Sequence, residues 1–549
     1  MSQIHCDLTE LQIDQLIVAG CQCPDWGRIK VTQNFKPDRI KNTSFSGDVK
    51  IGNFDGPVSF YGGVTKPSGI TNATIHNCII GDNVYIDQIG SYIANYIIED
   101  DVVIENVDLL AVQPGTTFAN GIELLVLNEA GGREIPMYDR LSAQTAYLLA
   151  LYRHRPELIE KIKSMIGDYT KSVTSSMGTI GKETRIINCR VIKNVRTGPN
   201  TTIEGVNKLE NGSVNSTPEG AVYIGPGVSA EDFIICSGSK ISDGTLLSHC
   251  FIGQGCELSK QYSAENSAFF ANCGGFHGEA CSIFAGPYTV THHKSTLLIA
   301  GLFSFLNAGS GSNQSNHMYK LGPVHQGVVE RGSKTTSDSY ILWPAKVGPF
   351  TVVMGRHYRR SDTSGLPFSY LIEHEDESVL IPGVNLRSVG TVRDARKWPK
   401  RDKRKDPVKF DRINFKLLSP FTVQKMINGI RILESLKETS GEMSDYYTYH
   451  SVKIKNTSLD NGIKLYNLGI TKFIGNCLLK RLEGKNFENP DQLRQQLKSN
   501  TEIGKGKWLD LAGMFAPQQV INDLLDDVES GKISTLERLD NEFDKIHDS

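Results

Sequence analysis

Several features are missing from this chain of 549 residues, and each absence removes a class of function. Net charge is almost absent. The 59 Lys and Arg stand against 61 Asp and Glu, a balance of −2, so no overall field draws the protein to nucleic acid or to an anionic membrane. No apolar run reaches the ~18 residues that suggest a spanning helix. The start, Met1-Ser2-Gln3-Ile4-His5-Cys6-Asp7, lacks the basic segment and apolar core of a signal peptide. Together with an odd number of cysteines, eleven, this predicts reduced thiols and a cytoplasmic location. Paired C-x2-C halves are also lacking. Cys273-x3-His277-x3-Cys281 and Cys21-x-Cys23 hold ligand types at other spacings, so the thiols read as core packing and no metal is expected. Finally, there is no G-x-x-x-x-G-K-[ST] loop and no strand-to-helix G-x-G-x-x-G, which argues against a nucleotidyltransferase-like protein with a Rossmann-type module.

What the chain does have is a period of six. Ile80, Ile86, Tyr92, Ile98, Ile104 and Leu110 stand at that spacing, and Ile180, Ile186 and Ile192, then Leu246, Ile252 and Leu258, repeat it. A helix repeats its apolar face near 3.6 residues and a half-buried strand at 2, so neither fits. A coil that runs along a flat side, turns, and starts the next side in phase does fit. It stacks on the coil below at about one strand spacing, ~4.8 Å.

The predicted organisation begins with a mixed segment at 1–35 and a first solenoid block at 36–130. A helical insertion follows at 131–178, in which Leu141, Leu148, Leu149 and Tyr152, then Leu158, Ile159, Ile162, Met165 and Ile166, follow helical spacing on either side of Pro156. The apolar face of that insertion needs a cover, from the solenoid wall or from another subunit. Coils resume over 179–395, with a loose phase from about 260 to 390, and residues 396–549 are helical, sufficient to cap the open end. The basic run Arg396-Lys397-Trp398-Pro399-Lys400-Arg401-Asp402-Lys403-Arg404-Lys405 reads as a solvated connector.

Six of the thirteen histidines lie between His277 and His357, and that enrichment points to chemistry. An imidazole titrates near neutrality and can take a proton from a hydroxyl or amine. His292 and His293, adjacent to Lys294 and close after a Gly-Pro turn, are the candidate catalytic pair, one as base and the other as orienter. Asn307, Gly309, Ser310, Asn313, His317 and His325 would line the substrate pocket. Lys294, Lys320, Arg356, Arg359 and Arg360 would face phosphate, since a guanidinium fork grips it bidentately. The competing explanation is that these histidines serve buried hydrogen bonds and the chain is a non-catalytic structural or ligand-binding scaffold.

Units such as Ile80-Gly81-Asp82-Asn83-Val84 and Ile252-Gly253-Gln254-Gly255-Cys256-Glu257 resemble the hexapeptide-repeat proteins, whose coils form a left-handed triangular prism. The resemblance implies a mainly β fold: a left-handed parallel β-helix with a helical insertion and a helical C-terminal domain. In many acyltransferases of that superfamily a histidine acts as base in a cleft between prisms of a trimer, with acetyl-CoA or another acyl-CoA as donor. For this chain it implies a homotrimeric transferase on a sugar or nucleotide-sugar. The stretches 285–294, 307–320, 334–344 and 398–402 also resemble a family of large hexapeptide-repeat proteins of Bacteroides-type bacteria. That second resemblance implies the architecture and carries no activity with it.

Overall fold

The computed structural model describes residues 5–316, 326–440, 444–499 and 501–548. Its central feature is a parallel β-solenoid in which strands from successive coils stack in register. Ile79–Ile80 lies on Tyr96–Ile98, which lies on Gly178–Ile180, and Ile104 has Ile86 on one side and Ile186 on the other. The insertion therefore leaves and re-enters between two consecutive coils without breaking the stack. The coils stack one continuous core, mostly Ile, Val and Leu in the regular block and with Ala and Phe at many later positions, each fully buried Ile or Val contributing about 1.5–3 kcal/mol.

From residue 257 onward the coil has three short strands. Side I carries Glu257–Ser259, Gly274–Phe276, Val290–Thr291, Asn307–Ala308, Lys334–Thr335 and Val352–Met354. Side II carries Glu279–Cys281, Leu297–Ile299, Asn313–Ser315, Tyr340–Leu342 and Arg356–His357. Side III carries Phe284–Ala285, Gly301–Phe303, Gly327–Val329 and Lys346–Val347. The loose phase of this stretch has a simple cause. Ile79 and its partner Ile97 are eighteen residues apart, whereas Gly274 and Val290 are sixteen and Val290 and Asn307 seventeen. Corners shortened by one or two residues shift the six-residue frame while the stacking continues.

The frame also slips within the regular block. Tyr92 points outward at 43% exposure while Ile93 is fully buried, and Leu246 is 52% exposed while Leu247 faces the core. At one corner, asparagines adopt left-handed backbone angles (φ 51° at Asn72, 52° at Asn106, 57° at Asn188) that most side chains avoid. Their side chains bond up the stack, Asn42 to Asn72 at 3.3 Å and Asn106 to Asn188 at 2.9 Å.

Both ends are closed. Helix α1 (Glu10–Val18), held by a Thr9–Gln12 capping box, buries Leu16 at the first coil. In the insertion are α2 (Ala143–Leu151) and α3 (Pro156–Val173), and α4 (Val389–Lys397) follows the last coils. Helices α5 (Pro420–Ser440) and α6 (Asn456–Leu482) place Met426, Leu433, Leu459 and Tyr466 in the same core as Leu371 and Leu380, so they cover the far end. After α7 (Pro490–Leu497) the hairpin Trp508–Leu511/Met514–Pro517 and helices α8 (Gln518–Glu529) and α9 (Leu536–Asp548) turn back along the flank. There they form a second core with the insertion and the outer surface of the solenoid. Leu148, Leu158 and Ile162 meet Leu525, Val528 and Phe543 over Phe251, Phe270 and Phe284. The apolar face of the insertion is thus covered within one chain, by solenoid wall and C-terminal helices together.

Candidate functional site

Side I is crossed by α4 and the residues after it, which are stitched to the wall by side chains of both. Trp398 packs on Phe305 with ring centroids 4.6 Å apart, and the Tyr288 hydroxyl donates to the Trp398 carbonyl at 2.9 Å. Asn272 donates to the Asp402 carboxylate at 3.0 Å and accepts the Lys403 N–H at 2.8 Å. Arg404, 8% exposed, grips Asp402 through two bonds of 2.9 and 2.8 Å, and Lys334 pairs with Asp394. The solvated connector expected from the sequence is therefore a fixed strap.

Between strap and wall lies a groove of about 700 Å³. Its floor is apolar and aromatic: Phe276, Tyr288, Val290, Phe305, Leu306 and Trp398. Its rim is cationic. Lys403 is matched by Glu257 at 2.8 Å and Arg393 by Asp394 at 3.2 Å, but Lys397, Lys400 and Arg401 have no ion-pair partner among the described residues. The Asp402 carboxyl, although burial pushes it up, is held at about 2 by Arg404 and Asn272, so it stays ionised and spoken for.

His292 stands at the edge of this groove. Its ring is stacked on Phe276, with centroids 5.5 Å apart and 17° between planes, and the residue is exposed to the groove. Its pKa lies below the usual 6.5, first because the wall partly desolvates it and then because His293, Arg401 and Lys403 add positive charge. At neutral pH it is an uncharged imidazole, able to accept a proton.

The other predicted residues are dispersed. Asn307 lines the same groove, on the next coil from Val290. The His293 ring is 6.5 Å from that of His292 and turned 66° to it, on the exposed surface beside Lys294. Gly309 and Ser310 form a coil corner. The Gly309 N–H donates to Thr335 Oγ1 at 2.8 Å, the Gly311 N–H to the Lys294 carbonyl at 3.2 Å and the Ser312 N–H to the Gly309 carbonyl at 3.1 Å, so this run presents no adjacent pair of free amides to an oxyanion or phosphate. Asn313 belongs to side II, where its amide oxygen accepts from Ser315 Oγ. Arg356 is two coils further on that side, Arg359 and Arg360 are exposed beyond it, and none of the three lines the groove. His357 is buried, with Nδ1 2.9 Å from Ser378 Oγ. His317, Lys320 and His325 lie outside the described residues. The unmatched cations at this groove belong instead to the basic run, a signal that was present in the sequence and read as solvent-facing.

Comparison with known proteins gives the following. A protein from Treponema pallidum (strain Nichols) named "Uncharacterized protein" is 26% identical over 582 residues, spanning 98% of this chain and 79% of its own. Among solved structures, an Arabidopsis UDP-N-acetylglucosamine acyltransferase matches at 12% identity with a TM-score of 0.19, covering 56% of this chain and 94% of that one. Residues 489–549 match the family described as "Domain of unknown function (DUF6819)". Residues 5–437, the whole solenoid with its insertion, strap and first capping helix, match "Domain of unknown function (DUF4954)", and it is to this family that the chain belongs.

Proposed function

We propose that the side I groove binds a nucleotide-bearing acyl donor, most simply an acyl-coenzyme A, and that the protein transfers the acyl group to a hydroxyl or amine of a sugar or nucleotide-sugar. The observation that carries this reading is the coincidence of three features in one groove: an aromatic floor, three unmatched cations on the rim, and an uncharged imidazole at the edge. Aromatic faces suit a base ring, and Lys397, Lys400 and Arg401 suit its phosphates. The donor supplies a thioester carbon open to attack.

His292 takes the proton from the acceptor hydroxyl as the new C–O bond forms. The imidazolium then returns that proton to the sulfur as the C–S bond breaks, so no other acid is required. Phe276 holds the ring in place, and partial burial together with the surrounding cations keeps its resting form neutral. Asn307, one coil away, is positioned to contact the acceptor. Because the groove is built from one chain, the reading does not require a neighbouring prism, whether or not the protein assembles as a trimer.

The test uses the full chain. Coenzyme A at a hundred times its Kd should stabilise the protein by about 2.7 kcal/mol, visible as a higher melting temperature. The double variant Lys397→Glu, Arg401→Glu should lose that shift. His292→Ala should keep it and lose acyl transfer. If neither coenzyme A nor a nucleotide-sugar raises the melting temperature, the scaffold reading replaces this one.

A further inference from the structure

A second cleft of about 700 Å³ opens on side III, among parts of the chain that are far apart in sequence. Solenoid residues Ser304, Glu330 and Arg331 form its base, and α2, α5 and the 508–517 hairpin form its walls. We propose that this cleft is a binding site for a neutral saccharide, separate from the side I groove and independent of acyl transfer there.

The charge pairing at the base of the cleft argues for a neutral ligand there. Glu330 is matched by Lys425, at 2.7 Å, and Arg331 by Asp510, at 2.9 Å. Lys425 also donates to the Ser364 carbonyl at 2.8 Å. The base of the cleft therefore holds two cations and two carboxylates in pairs, while the further lining cations Lys346, 3.8 Å from Asp362, and Lys507 are exposed. Burial pushes the Glu330 carboxyl above its usual range, against the pull of Lys425. Ser304 is 3% exposed and its hydroxyl has no hydrogen-bond partner among the described residues, an unmet polar group at the cleft base.

The walls argue for sugar rather than for a small amide or alcohol. Tyr147, Phe421 and Trp508 present aromatic surface around a polar base. A pyranose ring has apolar C–H faces for such surfaces and hydroxyls at its edge for mixed donors and acceptors. A purely structural role explains the Arg331–Asp510 pair, since Arg331 also donates to the Gly513 carbonyl at 3.0 Å and so ties the hairpin to the solenoid. The Glu330–Lys425 pair likewise ties α5 to the solenoid, though it borders open volume, and such a role does not explain the unpartnered Ser304.

The two sites are separated by a side chain. Phe305 lines the side I groove, and its ring face carries the Arg331 guanidinium at 4.5 Å, which lines the cleft. A sugar here is consequently not the acceptor activated by His292.

The experiment titrates the full-length protein with maltose, cellobiose and N,N′-diacetylchitobiose, using calorimetry and the fluorescence of Trp508. At least one should bind, and Glu330→Gln should weaken it about tenfold because a site built around hydrogen bonds discriminates strongly. Asn428→Ala, at an exposed position on the α5 wall, should weaken it severalfold. Lys397→Glu should leave saccharide binding unchanged even where it abolishes coenzyme A binding, which separates this inference from the proposed transfer. The proposal is overturned if none of the three binds, if binding survives both cleft variants, or if inorganic phosphate binds the cleft in their place.

Discussion

Arg331 and Asp510 meet at 2.9 Å with side chains 2% and 10% exposed, and the Arg331 guanidinium lies between the rings of Phe305 and Phe515 at 4.5 and 4.1 Å. One buried charge pair thereby joins the solenoid to the C-terminal hairpin. Removing only one partner leaves an uncompensated charge in the interior. Asp510→Ala should therefore cost about 3–5 kcal/mol, while Arg331→Met combined with Asp510→Leu should recover most of it. Urea midpoints read by Trp508, in the same hairpin, decide this. Equal midpoints for wild type and Asp510→Ala would mean the pair contributes nothing.

His357 predicts a pH dependence. Burial lowers its pKa from 6.5 to about 4 in the folded protein. As pH falls from 6.5 towards 4, the unfolded chain takes up a proton that the folded chain refuses, so stability declines through that window and levels off below it. The loss amounts to about 3 kcal/mol. His357→Gln should flatten the slope between pH 6.5 and 4.5 in urea titrations. A slope as steep as that of wild type would assign the effect to other groups.

Gly309 is a structural position rather than an oxyanion donor. A Cβ there would stand 2.3 Å from the Thr336 carbonyl oxygen of the next coil. Gly309→Ala should lower stability by about 1–3 kcal/mol, as overpacking does elsewhere. Gly506→Ala, where nothing lies within 4 Å, is the control and should melt as wild type does.

The architecture was legible because stacking repeats a local instruction. Most of the six-spaced aliphatics, Ile80, Ile86, Ile98 and Ile104 among them, are at or near zero exposure. Tyr92 and Leu246 misled because a one-residue corner adjustment moves the inward position to Ile93 and Leu247, and apolar character alone cannot show that. The site was less legible. His292 was singled out for its chemistry and lines the groove, but cations near it were sought at Lys294, Lys320, Arg356, Arg359 and Arg360. They come from a strap about a hundred residues later, fixed by Trp398, Asn272 and Arg404. The Glu330–Lys425 and Arg331–Asp510 pairs left no local signal, since each partner lies in a segment that looks unremarkable alone.

The proposed chemistry has its own pH signature. A general base with a lowered pKa is already deprotonated at neutrality, so kcat/KM for acyl transfer should be flat through pH 7 and fall on an acid limb centred below 6.5. Arg401→Glu places a negative charge near the ring and should move that limb to higher pH. A limb that stays in place would remove His292 from the role.

The second core has a consequence for how the protein is made. The prism can be laid down coil upon coil as the polypeptide leaves the ribosome, each turn resting on the one before it. The insertion helices cannot be finished in that order. Leu148, Leu158 and Ile162 await Leu525, Val528 and Phe543, which are synthesised nearly four hundred residues later. During that interval a greasy surface is left uncovered beside a nearly complete prism, and a nascent chain halted before Gln518 should be cleaved by protease within 138–173 while its coils resist.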